Sequence, residues 1–170
     1  MKKLFGAIFI VALVALASMC STPSVSEEEN EFNEALLGNE KIVVDSEALE
    51  KELLDLVNDH RSTKGLPVLE DSPSSYKYAE EHNNYMISKN ELSHDNFNAR
   101  ATKIAEETTA VAVSENVARY YTSAEKTLEG WLNSASHKEA LEGNYSHTTL
   151  SVQLDKDDRP YFTQIFIKVE

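Results

Sequence analysis

Three residues in the second half of the chain have side chains that could act together on a ligand. They are His94 in the turn-prone stretch ELSHDNFNAR, Glu115 in SENVA, and His137 in WLNSASHKEAL. Two imidazoles and a carboxylate can hold a divalent cation such as zinc and leave one position open for water. Alternatively, the carboxylate can orient one imidazole as a general base. Either chemistry requires that the fold bring the three residues into one cleft.

The spacing of these residues does not by itself choose between the two chemistries. The sequence has no H-E-x-x-H helix and no compact ligand pair. Ser134 and Ser136 lie beside His137, but neither belongs to a recognisable nucleophile elbow. Each residue also has a purely structural interpretation: a histidine can be a surface or capping residue, and Glu115 can bond backbone amides in a loop.

The first 20 residues are predicted to be an export signal. Lys2 and Lys3 precede the uncharged apolar run LFGAIFIVALVALA, which is too short to span a bilayer comfortably. Cys20, the only cysteine, follows this run where a bacterial lipoprotein carries its acylated cysteine. The preceding LASM departs from a lipobox, since Met19 is bulky. Cleavage after Ala17 is the alternative, and it would release a secreted protein with a free thiol.

Composition sets further limits on the mature protein. Residues 21–40 are rich in Ser and Glu and predict a solvated tether, so the folded domain is expected to span residues 41–170. A formal charge of −13 disfavours nucleic acid and anionic lipid headgroups as partners. Attachment to a membrane would therefore come from a lipid anchor on Cys20. A single cysteine also excludes an internal disulfide, so the fold must depend on its core.

Apolar periodicity predicts helices in the first part of the domain. Leu49, Leu53, Leu56 and Val57 form one helical stripe, which Asp45 or Ser46 can cap and Gly65 can end. A second helix is predicted to begin at Ser72 and Pro73. Further helices are expected at the following places: around Ala99 to Glu106, after a cap at Ser123, and in SHKEAL.

The last part of the domain is predicted to be β structure. TLSVQL and YFTQIFIKV are apolar or alternating runs joined by the polar DKDDRP, which indicates an antiparallel hairpin. The stretch AVAVSENVARYY is ambiguous between strand and loop. Helices followed by strands predict an α+β domain with helices packed on a small antiparallel sheet.

Six short segments of the chain, taken in order, resemble the CAP superfamily, which holds cysteine-rich secretory proteins, antigen 5 and pathogenesis-related class 1 proteins. The resemblance is strongest to the disulfide-free bacterial branch of that superfamily. The six segments are LVNDHRSTKGLPVL, AEEHNNYM, LSHDNFNAR, SENVA, WLNSASHKEAL and YFTQIF. The resemblance covers about residues 46–170. It implies a three-layer α-β-α sandwich with a cleft that gathers two histidines and two acidic residues.

The resemblance also assigns roles to individual residues. His94, Glu115 and His137 match the two histidines and the first acid, whereas Ser134 stands where the eukaryotic pattern has the second acid. Asn58 and Arg61 match a structural N-x-x-R motif of the first helix, and Gln164 matches a polar residue of the closing strand. Trp131, Tyr145 and Phe162 are expected in the core.

The resemblance implies a binding protein more than an enzyme. The expected function is an exported, membrane-anchored domain whose cleft binds a small ligand, lipid, peptide or cell-wall fragment, with zinc or another divalent cation as the candidate cofactor. One alternative is a protease or peptidoglycan-directed hydrolase that uses His94, His137 and Glu115. The other is an exported scaffold with a vestigial cleft.

Overall fold

The computed structural model describes residues 44–170. The predictions for the export signal, Cys20, the tether and the domain boundary at residue 41 fall outside these residues. In chain order the structure contains α1 (Ser46–Thr63), β1 (Glu70–Asp71), a 3₁₀ turn (Pro73–Ser75), α2 (Tyr76–Lys89), α3 (Phe97–Thr108), β2 (Ala112–Arg119), α4 (Ala124–Asn133), α5 (Ala135–Leu141), β3 (His147–Leu154) and β4 (Pro160–Lys168). Within residues 44–170, no helix is long and apolar enough to cross a membrane.

A four-stranded sheet in the order β1-β3-β4-β2 forms the middle layer. Strands β3 and β4 form the predicted antiparallel hairpin, and β2 pairs antiparallel with β4. The stretch that was ambiguous between strand and loop is therefore a strand. The two-residue β1, which the sequence did not predict, pairs parallel with β3 and adds a short parallel edge to the predicted antiparallel sheet. Glu70 and Asp71 are both polar, and so short a polar strand has no hydrophobic pattern to reveal it.

The two faces of the sheet are covered by different helices. One face packs Phe162 and Phe166 against Leu53 of α1, Trp131 of α4 and Leu141 of α5. The other face packs against α2 and α3 through a second cluster: Tyr78, Ala79, Ile104, Ile165 and Ile167. Successive strand residues point to opposite faces, which is why Ile165 and Phe166 belong to different clusters. The three-layer α-β-α sandwich is confirmed.

Helix α1 begins and ends where the sequence predicted. Asp45 accepts a hydrogen bond from the Ala48 N–H at 3.1 Å. Gly65 adopts a left-handed φ of 71°, and the N–H groups of Gly65 and Leu66 donate to the carbonyls of Ser62 and Arg61. The second helix differs slightly, because Ser72 and Pro73 open a 3₁₀ turn and α2 itself begins at Tyr76.

Two polar residues of α1 form hydrogen bonds with the backbone of the loops that follow α1 and α5. Asn58 exchanges two hydrogen bonds with the backbone of Leu69, at 2.8 and 3.1 Å. The fully buried Arg61 donates to the carbonyls of Pro67, Leu141 and Gly143 at 2.7 to 3.0 Å. These contacts confirm the predicted structural roles of both residues. The contacts of Arg61 with Leu141 and Gly143 fix the end of α5, the helix that carries His137.

Candidate functional site

The structure brings His94 and His137 together although 43 positions separate them. Their ring centroids lie 6.4 Å apart with the ring planes inclined by 49°. His94 lies in the loop between α2 and α3, and its side chain is 49% exposed. His137 lies in α5 and is only 4% exposed. The pair therefore places one imidazole that is open to solvent beside one that is buried.

Glu115 forms a hydrogen bond with the ring of His94. Its Oε1 lies 2.9 Å from Nδ1 of His94, and the carboxylate is almost completely buried. An ionised carboxylate can only accept, so Nδ1 of the neutral imidazole must carry the proton. This tautomer leaves Nε2 of His94 as the ring nitrogen with a free lone pair.

Arg100 neutralises Glu115 with a two-pronged contact. Nη2 of Arg100 lies 2.8 Å from Oε1 of Glu115, and Nε lies 2.9 Å from Oε2. Nη1 of Arg100 also donates to the Asp95 carbonyl at 3.1 Å, which ties down the loop next to His94. Burial acts to raise the pKa of Glu115, but the His94 hydrogen bond and the Arg100 charge outweigh it and lower that pKa. The carboxylate is therefore ionised at neutral pH.

His82 of α2 completes the inner face of this cluster. Its Nε2 lies 3.6 Å from Oε1 of Glu115 and 2.7 Å from the Ser93 carbonyl. Because a carbonyl only accepts, Nε2 of His82 carries the proton. Burial lowers the pKa of His82, although the Glu115 charge opposes this. A neutral His82 thus fixes the residue that precedes His94.

Asn116 positions the helix that carries His137. It follows Glu115 on β2 and therefore points to the other face of the sheet. Its Nδ2 donates to the His137 carbonyl at 3.0 Å and thereby fixes α5 against the strand. Two consecutive residues of β2 thus hold the two histidine-bearing segments from opposite faces.

His137 is a neutral imidazole over the whole physiological pH range. Burial, with a further contribution from the nearby His94, lowers the pKa of His137 to about 4. Its ring can therefore accept a hydrogen bond or bind a metal ion without first losing a proton. This property follows from its position in the wall between α5 and the sheet.

Ser134 lies at the junction of α4 and α5, where it caps both helices. Its hydroxyl oxygen lies 3.3 Å from that of Ser136. This contact joins two neighbours in sequence and is typical of a helix start. Ser134 supplies no carboxylate, so the cleft has a single acidic residue, Glu115, among the positions that the resemblance assigned.

The donor set does not fit a three-ligand metal centre. Within residues 44–170, no group of three or more His, Cys, Asp or Glu side chains is placed to hold a metal ion. Both oxygens of Glu115 are already engaged by Arg100 and His94. The imidazoles of His94 and His137 are thus the two groups of the cleft that could bind a divalent cation, with water or a ligand completing its coordination.

Three residues of the site had no role in the sequence prediction, namely His82, Arg100 and Asn116. Helical spacing placed His82 on or beside the apolar face of its helix, but nothing in the sequence indicated that Glu115 would lie against it. Arg100 follows His94 by six positions and precedes Glu115 by 15, a spacing with no recognisable pattern. Asn116 had one available signal, since it follows Glu115 in a segment that alternates as a strand would.

The chain was compared with known families and proteins. A sequence model described as the cysteine-rich secretory protein family, CAP, matches residues 54–166. The chain is 36% identical over 123 residues to the "Uncharacterized membrane protein YlbC" of Bacillus subtilis. The match covers 70% of this chain and 34% of YlbC, so the chain spans about a third of the length of that relative.

Solved structures share the fold. An outer surface protein from Borrelia burgdorferi superposes with a TM-score of 0.64 at 22% identity, over 75% of this chain and 97% of that one. A cysteine-rich secretory protein from Staphylococcus aureus gives 0.63 at 20% identity, over 77% and 42%. An extracellular protein with a SCP domain from Bacillus anthracis gives 0.60 at 26% identity, over 73% and 41%.

The burial of His137 predicts a specific acid sensitivity. The unfolded chain takes up a proton on this residue near pH 6.5, whereas the folded protein does so only near pH 4. Folding stability should therefore fall as the pH drops from 7 to 5, by about 2 kcal/mol from this residue alone. Urea unfolding at both pH values should show that His137→Gln loses about 2 kcal/mol less than the wild type. Equal losses in the two proteins would mean that His137 takes up its proton as readily in the folded protein as in the unfolded chain.

Proposed function

The chain belongs to the cysteine-rich secretory protein, or CAP, family, and we propose that it is a non-catalytic binding domain on the outer side of a cell membrane. In this proposal the cleft between His94 and His137 binds a small polar ligand, together with a divalent cation such as zinc. The location is supported by similar proteins whose titles describe an outer surface protein, an extracellular protein and a membrane protein.

The observation that carries the binding proposal is the fixed state of both imidazoles. The carboxylate of Glu115 accepts a hydrogen bond from the Nδ1–H of His94, which leaves Nε2 of His94 as an acceptor. His137 is held neutral by burial. Two imidazoles whose ring centroids lie 6.4 Å apart suit a cation, or a ligand that presents hydroxyl, amide or ammonium donors. The surrounding contacts hold this arrangement before any ligand arrives.

The alternative function is hydrolysis, and one contact favours it. The hydrogen bond between Glu115 and His94 is the arrangement that a general base needs for its orientation. However, the charge of Glu115 is shared with Arg100, which reduces its support for an imidazolium. The hydroxyl oxygen of Ser134 lies 3.3 Å from that of Ser136, and this alternative assigns the role of nucleophile to water that His94 activates. Binding requires only the two imidazoles, whereas hydrolysis would also require an activated water, so we favour binding.

A calorimetric titration with zinc chloride tests the binding proposal. The wild type should bind one zinc ion through both imidazoles. His94→Ala and His137→Ala should each weaken binding at least tenfold, since each removes one of two ligands. His147→Ala is the matched control and should bind like the wild type. His82→Ala is not a suitable control, because His82 lies 3.6 Å from Glu115.

Two results of this titration would count against the proposal. Zinc binding that is unchanged in His94→Ala and in His137→Ala would mean that the ion binds elsewhere. A wild type that binds no zinc would leave an organic ligand or a vestigial cleft. Zinc-dependent release of fragments from peptidoglycan or casein, lost in His94→Ala, would instead support the hydrolase.

The position of the domain outside the membrane depends on Cys20 in this proposal. An acylated Cys20 would anchor the chain, and the acidic residues 21–40 would extend the domain from the surface. Cys20→Ser should therefore move the protein from the membrane fraction to the soluble fraction of cells that express it, as seen by immunoblot. A wild-type protein that is already soluble would favour cleavage after Ala17 and free secretion.

A further inference from the structure

The N-terminal half of β2 has an open strand edge. Strand β2 is the last in the sheet order and pairs with β4 on one side only. Near its C-terminal half, the Trp131 indole N–H donates to the Val117 carbonyl at 3.1 Å, so α4 covers that part of the edge. The segment from Ala112 to Glu115 has no strand on its outer side among the described residues.

The register shows which backbone groups point outward. The Tyr120 N–H donates to the Pro160 carbonyl, so residues at every second position before Tyr120 direct their N–H and C=O groups to β4. Val113, Glu115 and Val117 lie at the intervening positions and direct theirs outward. The contact of Val117 with Trp131 agrees with this assignment. Val113 and Glu115 therefore present backbone donors and acceptors to an incoming strand.

An uncharged groove runs beside this open edge. It has a volume of about 450 Å³, and no charged residue lines it although 26% of the chain is charged. Val111 is 60% exposed and is one of two large hydrophobic residues exposed within residues 44–170. Alanines supply much of the remaining wall: Ala101, Ala105, Ala110 and Ala112. The groove can therefore take an aliphatic side chain.

The sequence of this edge lacks the usual protection against pairing. Exposed edge strands generally carry charged residues or proline that prevent another strand from adding. The segment AVAVS, residues 110–114, has neither, and the side chain of Glu115 is buried and bound to Arg100. An apolar open edge beside an apolar groove has the features of a surface that binds an extended peptide by strand addition.

We propose that β2 and this groove bind an extended segment of another protein, which pairs with the Val113–Glu115 edge and places an aliphatic side chain against Val111. The segment carries neutral or basic residues, because a chain with a formal charge of −13 repels acidic ones. Main-chain hydrogen bonds supply most of the affinity, and the groove selects the side chain.

A second copy of this chain fits the surface less well. Each copy carries the same formal charge of −13, so two copies repel each other. The open edge is also only four residues long, from Ala112 to Glu115, before Trp131 covers it. Two such edges would bury less area than the roughly 1,200 Å² of a stable interface. A peptide needs only the edge and the groove.

Fluorescence anisotropy with a labelled peptide tests this inference. The probe is an acetylated, amidated hexapeptide of alternating lysine and valine, and the control is the same peptide with every backbone amide N-methylated. The wild type should bind the probe at least tenfold more tightly than the control, which keeps the lysine charges but has lost the N–H donors of its methylated backbone amides. An alternating glutamate and valine peptide should also bind at least tenfold more weakly.

Two substitutions on the protein locate the site. Val111→Asp places a charge in the groove, and Val113→Pro removes an outward N–H; each should weaken probe binding at least tenfold. Val68→Asp, at the other large exposed hydrophobic residue, is the matched control and should bind like the wild type. Thermal unfolding should show that Val111→Asp is folded, since Val111 is mostly exposed. Zinc titration of Val111→Asp should match the wild type, which separates this inference from the cleft.

Three outcomes would overturn the inference. The first is a wild type that does not bind the probe. The second is equal binding of the probe and its N-methylated form, which would show attraction by charge alone. The third is a wild-type dimer in analytical ultracentrifugation that Val111→Asp dissociates, because the edge would then serve a second copy of this chain.

Discussion

A buried carboxylate remains charged only where cations and hydrogen-bond donors surround it, and this constraint acts on Glu115. Arg100 contacts both of its oxygens, His94 donates to one of them, and His82 lies 3.6 Å away. These partners come from α2, the following loop and α3. The need to compensate one charge on β2 therefore fixes three segments of the outer layer and sets the tautomer of His94.

Successive side chains of β2 point to opposite faces of the sheet, so the residue next to Glu115 positions the helices on the other face. Asn116 is the next residue after Glu115 and faces the layer of α1, α4 and α5, where it holds the His137 backbone. The buried Arg61 fixes the end of the same helix through the carbonyls of Leu141 and Gly143. His94 and His137 thus come together where two layers meet across one strand, and neither layer alone supplies both residues.

Much of the fold could be predicted from the sequence, because helix ends and hairpins are local features. Asp45 and Gly65 mark α1, and the polar DKDDRP marks the turn between β3 and β4. The sequence also indicated His94, Glu115 and His137, which the structure brings together. The roles of His82, Arg100 and Asn116 could not be predicted, because they depend on contacts between layers that no local pattern records. The parallel pairing of β1 with β3 could not be predicted either, because it too depends on a contact between distant segments.

The site depends on the tautomer of His94 that Glu115 selects, with the proton on Nδ1 and Nε2 free. Nitrogen-15 NMR of the histidine rings at pH 8 reports this tautomer, because protonated and bare ring nitrogens have well-separated shifts. The proton should lie on Nδ1 of His94 but on Nε2 of His82, which donates to the Ser93 carbonyl. In Glu115→Gln the predominance of the Nδ1 tautomer of His94 should decrease. A wild-type His94 that carries its proton on Nε2 would show that Glu115 does not select the tautomer.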